Sequence, residues 1–220
     1  MATNFVKLKK NELMELHLDI LKDLLNGVDF KDIEQKYSAR FEELNYLKNV
    51  TSNLLSFDNG KLVAAYPVSP RKTNYKVIID DIGTGYAMCA IDALGIAYTF
   101  MKKTTIETTI RDTNESFKFV VDPFLDKQTE KNLFVTYKKY NQTLTNAALE
   151  ICPTINIYRF ENGVPKDENL VILDFETAIH YARERFSQDA INQSFLGTFD
   201  LEKLMNNAQY GKDLSINCDC

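Results

Sequence analysis

With 220 residues, 45% of them hydrophobic and 26% charged, the chain can bury the core of one domain or two small ones, which excludes a disordered or fibrous protein. A net charge of −5 argues against a surface built throughout for nucleic acid. No run approaches the roughly 18 apolar residues of a membrane span. The start, MATNFVKLKKNELMEL, lacks the apolar stretch and cleavage site of a secretory signal, so no membrane partner is expected and the cytoplasm is the expected compartment.

In chain order, Asn11 is placed to cap a helix whose apolar residues Leu13, Leu16, Ile20 and Leu24 recur at helical spacing, and Gly27 stops it. Segments from Asp29 to Tyr37 and from Ser38 to about Leu54 continue the helical pattern. Lys7, Lys9 and Lys10 read as a solvated face. The turn signal Asp58-Asn59-Gly60 then opens a hairpin whose outgoing strand is Lys61 to Val68. Three helices and a hairpin outline a winged helix, which raises DNA binding. The acids Glu12, Glu15, Asp19 and Asp23 on those helices would repel phosphate.

A connector with Pro70 leads to a short strand, Tyr75 to Ile79. From Tyr86 to Phe100 the residues are small or apolar nearly all round, which predicts a buried helix. TTIETTI, SFKFVV, LFVTY and INIYRF predict strands between Thr104 and Phe160. Their aromatics Phe117, Phe119, Phe134, Tyr137 and Tyr158 read as core, with one or two free to wall a pocket. Leu170 to Leu173 is a further strand, Asp174 a helix cap, and Ala178 to Phe186 helical. A last helix is expected near Leu201 to Ala208, before the tail GKDLSINCDC. The expected fold is α+β: a winged-helix-like part over residues 1–70, packed on a mixed or antiparallel core over 71–210 that holds the buried helix, and a cysteine-containing tail over 211–220.

Four cysteines, Cys89, Cys152, Cys218 and Cys220, occur without a secretion signal, so reduced thiols are expected rather than a disulfide framework. His17 and His180 stand far from them in sequence, which excludes the usual Cys/His zinc spacing. Both histidines read as surface or capped helix residues. Cys89 and Asp92, three residues apart on the predicted buried helix, share a face. A carboxyl group there is costly as an anion, so burial raises its pKa and fits it to hold a proton near neutrality. Cys152, ahead of Pro153 and a strand, can reach toward a helix packed on that sheet. Two thiols and a carboxyl would make a soft-metal site. The competing reading is core: free cysteine is among the most buried residue types.

The segments GYAMCAIDALG, ICPTINIYRFENG and VILDFETAIHYARERF, with FDNGKLVAAYPVSP upstream, together resemble the organomercurial (alkylmercury) lyases over most of residues 40–186. The resemblance implies that Cys89, Asp92 and Cys152 are the catalytic trio that protonates the carbon of R–Hg(II), for mercury detoxification. It implies that mercury enters as substrate with no organic cofactor, that low-molecular-weight thiols release the product, and that a mercuric reductase or another metal-accepting protein receives it. Many members carry a further, structural cysteine where this chain has Ile110. Cys218 and Cys220 fall outside the resemblance; they could pass metal ions to the core or be an idle end. Two rival readings stay open: a non-catalytic mercury or copper binder or sensor, and a lyase for another organometal. Asp92 discriminates, because capture needs only thiols whereas protonolysis needs an acid.

Overall fold

The computed structural model describes residues 2–50, 54–125, 132–138, 146–161, 167, 169–196 and 198. The first helix, α1 (Ala2–Leu25), contains Asn11 rather than starting at it. The apolar stripe extends back to buried Val6, and an exposed Asn inside a helix costs only its modest propensity deficit. Its end is as the sequence predicts. Gly27 takes a left-handed φ of +79°, and the N–H groups of Gly27 and Val28 bond the carbonyls of Leu24 and Asp23, the pattern of a Schellman cap. Asp29 caps α2 (Phe30–Lys36) by accepting from the Lys31 N–H. A 3-10 turn, Ser38–Arg40, then leads into α3 (Phe41–Val50).

The hairpin forms at the expected turn, with β1 (Leu55–Asp58) and β2 (Lys61–Ala65) joined through Asn59 and Gly60, both at positive φ, but its outgoing strand stops at Ala65, where Tyr66-Pro67 turns the chain, rather than running to Val68. It does not stand alone. With β3 (Val68–Ser69), β4 (Lys76–Ile79), β5 (Gly83–Ala87), β6 (Thr104–Thr109) and β7 (Ser116–Val121) it builds a seven-stranded sheet in the order β1-β2-β3-β5-β4-β6-β7, antiparallel throughout. A second antiparallel sheet, ordered β10-β8-β9, contains β8 (Phe134–Lys138), β9 (Asn156–Tyr158) and β10 (Leu170–Asp174). The α+β class holds.

The buried helix α4 (Ala90–Phe100) starts four residues later than expected. Tyr86 and Ala87 belong instead to β5, where Tyr86 pairs with Lys76 and Ala87 with Val68. A short run of small apolar residues does not by itself separate strand from buried helix, and pairing on both sides decides it. Every α4 residue from Ala90 to Thr99 is buried, between the large sheet and α6 (Phe175–Phe186). Asp174 caps α6 as expected, accepting from the Thr177 N–H at 2.7 Å. Between the sheets' strands lie the short α5 (Ala147–Glu150) and a 3-10 turn, Cys152–Thr154. After α6 comes α7 (Gln188–Phe195), capped by Ser187 and not anticipated from sequence. The helix expected at Leu201 to Ala208 and the tail with Cys218 and Cys220 lie outside the described residues.

Gly95 sets the contact of α4 with α6. A Cβ built there would lie 2.0 Å from Cδ2 of Phe186, a side chain that is itself fully buried. Gly95→Ala should therefore destabilise the protein by about 1–3 kcal/mol or more through overpacking, even though Ala has the better helix propensity by roughly 1 kcal/mol. Chemical denaturation measures it; a variant as stable as the parent would show that the two helices part freely.

Candidate active site

The N-terminus of α4 places the first two chemical groups. Cys89 is the N-cap, in extended conformation (φ −152°, ψ −174°), and its own side chain caps no backbone N–H. Asp92 is the third helical residue, and its carboxyl group accepts from the backbone N–H of Cys89. That is the reach-back half of a capping box. The other half is redirected: Cys89 Sγ donates to Asp92 Oδ2 at 2.7 Å. The two side chains do meet, through the geometry of a helix start rather than a shared face in mid-helix.

Cys152 enters from the other side. It opens the 3-10 turn, and strand β9 begins only at Asn156, so it sits one short turn upstream of the expected strand entry. The Ala90 N–H donates to the Ile155 carbonyl at 3.5 Å, and the Tyr75 hydroxyl reaches the same carbonyl at 3.4 Å. These bonds hold the turn against the start of α4. Cys152 Sγ is 3.9 Å from Asp92 Oδ2, the oxygen that Cys89 also faces, and 3.6 Å from the Tyr66 hydroxyl. One ligand atom each from Cys89, Asp92 and Cys152 lie within 4.8 Å of one another, and all three residues are buried. Both cysteines are free thiols.

Burial governs the protonation of this cluster. It pushes the Asp92 carboxyl up to about 7, against the opposing pull of the Cys89 thiol and the Arg185 charge. It also raises the Cys89 thiol well above its usual value, with the neighbouring Cys152 and Asp92 adding to the rise. At neutral pH the carboxyl therefore stands ready to take or give a proton.

Sequence reasoning missed three residues of this site: Arg185, Tyr66 and Tyr181. With Tyr137 they line the same cavity. Tyr137 belongs to the aromatics expected as core with one or two walling a pocket, and it is such a wall. Arg185 is buried, with its guanidinium carbon 5.8 Å from the centre of the Tyr66 ring and 4.9 Å from that of Phe186. The signal was available: Ala178, Tyr181, Ala182 and Arg185 recur at helical spacing, which puts an arginine on the buried stripe of α6.

His180 lies on the surface beside Glu184, at 3.3 Å. His17 corrects the expectation of a surface or capped residue. It is fully buried on the inner stripe of α1 beside Leu13, Leu16 and Ile20, edge-on to the Phe195 ring, and neither ring nitrogen has a hydrogen-bond partner. It is not part of the Cys–Asp–Cys cluster.

The fold and this cluster define an α+β protein with two free thiols and a carboxyl group brought together in its interior. The model of the alkylmercury lyase family matches residues 68–186, more than half of the chain, and the protein belongs to that family. Among solved structures, the mercury-bound form of MerB2 superposes with a TM-score of 0.54 at 16% identity, over 88% of this chain and 98% of that one, which shows a common fold. No curated protein sequence matches. Among the described residues no helix is long and apolar enough to cross a membrane.

His17 yields a stability test. Burial, with the Arg185 charge adding to it, pushes its pKa down to about 4 from 6.5. The native state thus binds fewer protons than the unfolded chain, so stability present above pH ~6.5 is lost as pH falls toward 4. His17→Leu should stabilise the protein by about 1–3 kcal/mol at pH 7, by removing two buried unpaired nitrogens, and by more at pH 5. Thermal melts across this range check it; an advantage that shrinks toward pH 5 would contradict the assignment.

Proposed function

We propose that this enzyme cleaves the carbon–mercury bond of R–Hg(II) by protonolysis, with Cys89, Cys152 and Asp92 as the acting groups. The observation that carries the reading is the single carboxyl oxygen facing both sulfurs, at 2.7 and 3.9 Å. Simple capture of a soft ion needs two thiolates. A carboxyl group poised near neutrality adds what capture does not use: a place for the thiol's proton, from which it can go to carbon.

The steps balance as follows. One thiol displaces the ligand X of R–Hg–X, and its proton leaves as H–X. The second thiol passes its proton to the Asp92 carboxylate and its sulfur adds to mercury. With two sulfurs donating to the metal, the carbon–mercury bond weakens, and protonated Asp92 delivers its proton to carbon. R–H departs, Hg(II) stays on the two sulfurs, and Asp92 returns to the carboxylate. External low-molecular-weight thiols then exchange the ion away, toward a reductase or another metal-accepting protein, which gives the reaction a role in mercury detoxification. The proton that reaches carbon comes from the second thiol by way of Asp92.

The decisive assay follows methane from methylmercury in the presence of excess thiol. Asp92→Asn should lower the rate by about 10²-fold or more, the usual size of a lost general acid, while stoichiometric Hg(II) binding persists. Cys89→Ser and Cys152→Ser should each abolish turnover. Tight Hg(II) binding by the parent protein without any hydrocarbon would instead make it a metal binder.

A further inference from the structure

The two sulfurs of the site have different polar partners. Cys89 Sγ faces the Asp92 carboxyl at 2.7 Å, a group able to take its proton. Cys152 Sγ stands farther from the same oxygen, at 3.9 Å, and nearer to the Tyr66 hydroxyl, at 3.6 Å. Tyr66 is buried, and among the described residues this sulfur is the hydrogen-bond partner of its hydroxyl. The chain fixes where that hydroxyl stands. Tyr66 follows the last residue of β2, and its N–H donates to the Leu54 carbonyl at 2.8 Å. The next carbonyl, of Pro67, accepts from the N–H of Met88, one position before Cys89. The ring also meets the Arg185 guanidinium, whose carbon lies 5.8 Å from the ring centre, within the range of cation–π attraction.

As packing alone, this arrangement is unfavourable. A neutral thiol is a weak acceptor, and a buried hydroxyl without a good partner is less stable there than the plain ring of Phe. The balance changes once the sulfur is an anion, because a hydrogen bond to a charged acceptor is roughly twice as strong. Both sulfurs give up their protons on the way to mercury in the proposed reaction. Burial, with the Cys152, Asp92 and Cys89 groups adding to it, raises the pKa of the Tyr66 hydroxyl well above its usual value. The hydroxyl thus keeps its own proton and stays a donor.

We propose that Tyr66 is a further catalytic residue, whose hydroxyl donates to the Cys152 sulfur and steadies its negative charge until that sulfur bonds mercury. The proposal rests on the reading of this cluster as a carbon–mercury lyase. No bond within Tyr66 forms or breaks. The Cys152 proton leaves by one of the routes already given, with the displaced ligand or to Asp92, and the charge on sulfur passes to the metal. Asp92 faces both sulfurs, whereas the Tyr66 hydroxyl bonds one of them. Its loss therefore weakens Cys152 selectively.

The test is Tyr66→Phe, which removes the hydroxyl and keeps the ring. Its kcat/KM for methane release from methylmercury in excess thiol should fall about 10-fold or more, the lower end for a hydrogen bond to a charged group. Stoichiometric Hg(II) binding should persist. Metal-free protein provides a second reading: the initial rates at which iodoacetamide alkylates Cys152 and Cys89, each followed by peptide mass. Cys152 should slow about 3-fold, because a 10-fold smaller thiolate share is partly offset by a more nucleophilic sulfur. Cys89 should keep its parental rate. A merely structural loosening would instead expose both thiols and speed both reactions. Should Phe at 66 fail to fold, 3-fluorotyrosine there keeps the shape and is a stronger donor, and it should raise the ratio of the Cys152 rate to the Cys89 rate. An unchanged ratio in a folded variant, or parental turnover in Tyr66→Phe, would overturn the role of Tyr66 while leaving carbon–mercury cleavage standing. No methane from the parent, with Hg(II) still bound, would overturn the reading beneath it and the catalytic role with it.

Discussion

A carboxyl group taken out of water is the constraint around which this fold is arranged. Asp92 is buried among apolar groups, where its charged form is strongly disfavoured. It is tolerated because of where it stands. The first turn of a helix presents unsatisfied N–H groups and the positive end of the helix dipole, and Asp92 takes the Cys89 N–H and the Cys89 thiol as partners. Arg185 supplies a positive charge in the same cavity. The result is a group held near its titration point, neither a structural anion nor a permanently neutral acid.

The rest of the core serves to bring a second sulfur to that carboxyl. A helix buried along nearly its whole length must be covered on every side. The large sheet covers one side of α4, and α6 covers another, at a distance that only glycine at 95 permits. The small sheet carries the Cys152 turn to the helix start, where the Ala90–Ile155 backbone bond fixes it. Two thiols distant in sequence thus face one carboxyl oxygen because two sheets and a helix end converge there.

Much of this was legible beforehand, and the failures have physical causes. The Cys89–Asp92 pair was found from spacing, but for an incomplete reason. Separations of three residues are neighbours both in mid-helix and between an N-cap and the first turn, so the contact was predicted while the helix start was misplaced. Tyr86 and Ala87 could not be assigned locally, because only pairing with β3 and β4 makes them strand. Turn and cap signals at Gly27, Asn59-Gly60 and Asp174 are local chemistry and read correctly. Asn11 lies inside α1, because a capping residue type does not end a helix whose apolar stripe continues past it. The meeting of Cys152 with Asp92 was beyond spacing altogether and came only from resemblance to a family. Arg185 was overlooked because a charge in α6 looks like a solvated face until its neighbours at helical spacing are counted.

Arg185 also makes sense of the site's charge. With Asp92 ionised, Arg185 protonated and both thiols neutral, the buried cluster has no net charge. In the proposed reaction that balance is never lost. Moving a thiol proton to Asp92 leaves a thiolate opposite Arg185. Binding the organomercury cation to a thiolate gives a neutral adduct beside the Asp92–Arg185 pair. The product, Hg(II) on two thiolates, is neutral again, with Asp92 once more ionised. An uncompensated charge in such a cavity is strongly destabilising, and several kcal/mol per ion is the usual scale. A cluster that stays neutral from start to finish avoids that cost at each step. Removing Arg185 would leave every state one negative charge in excess, which ties a residue of α6, remote in sequence but lining the same cavity, to the chemistry at the start of α4.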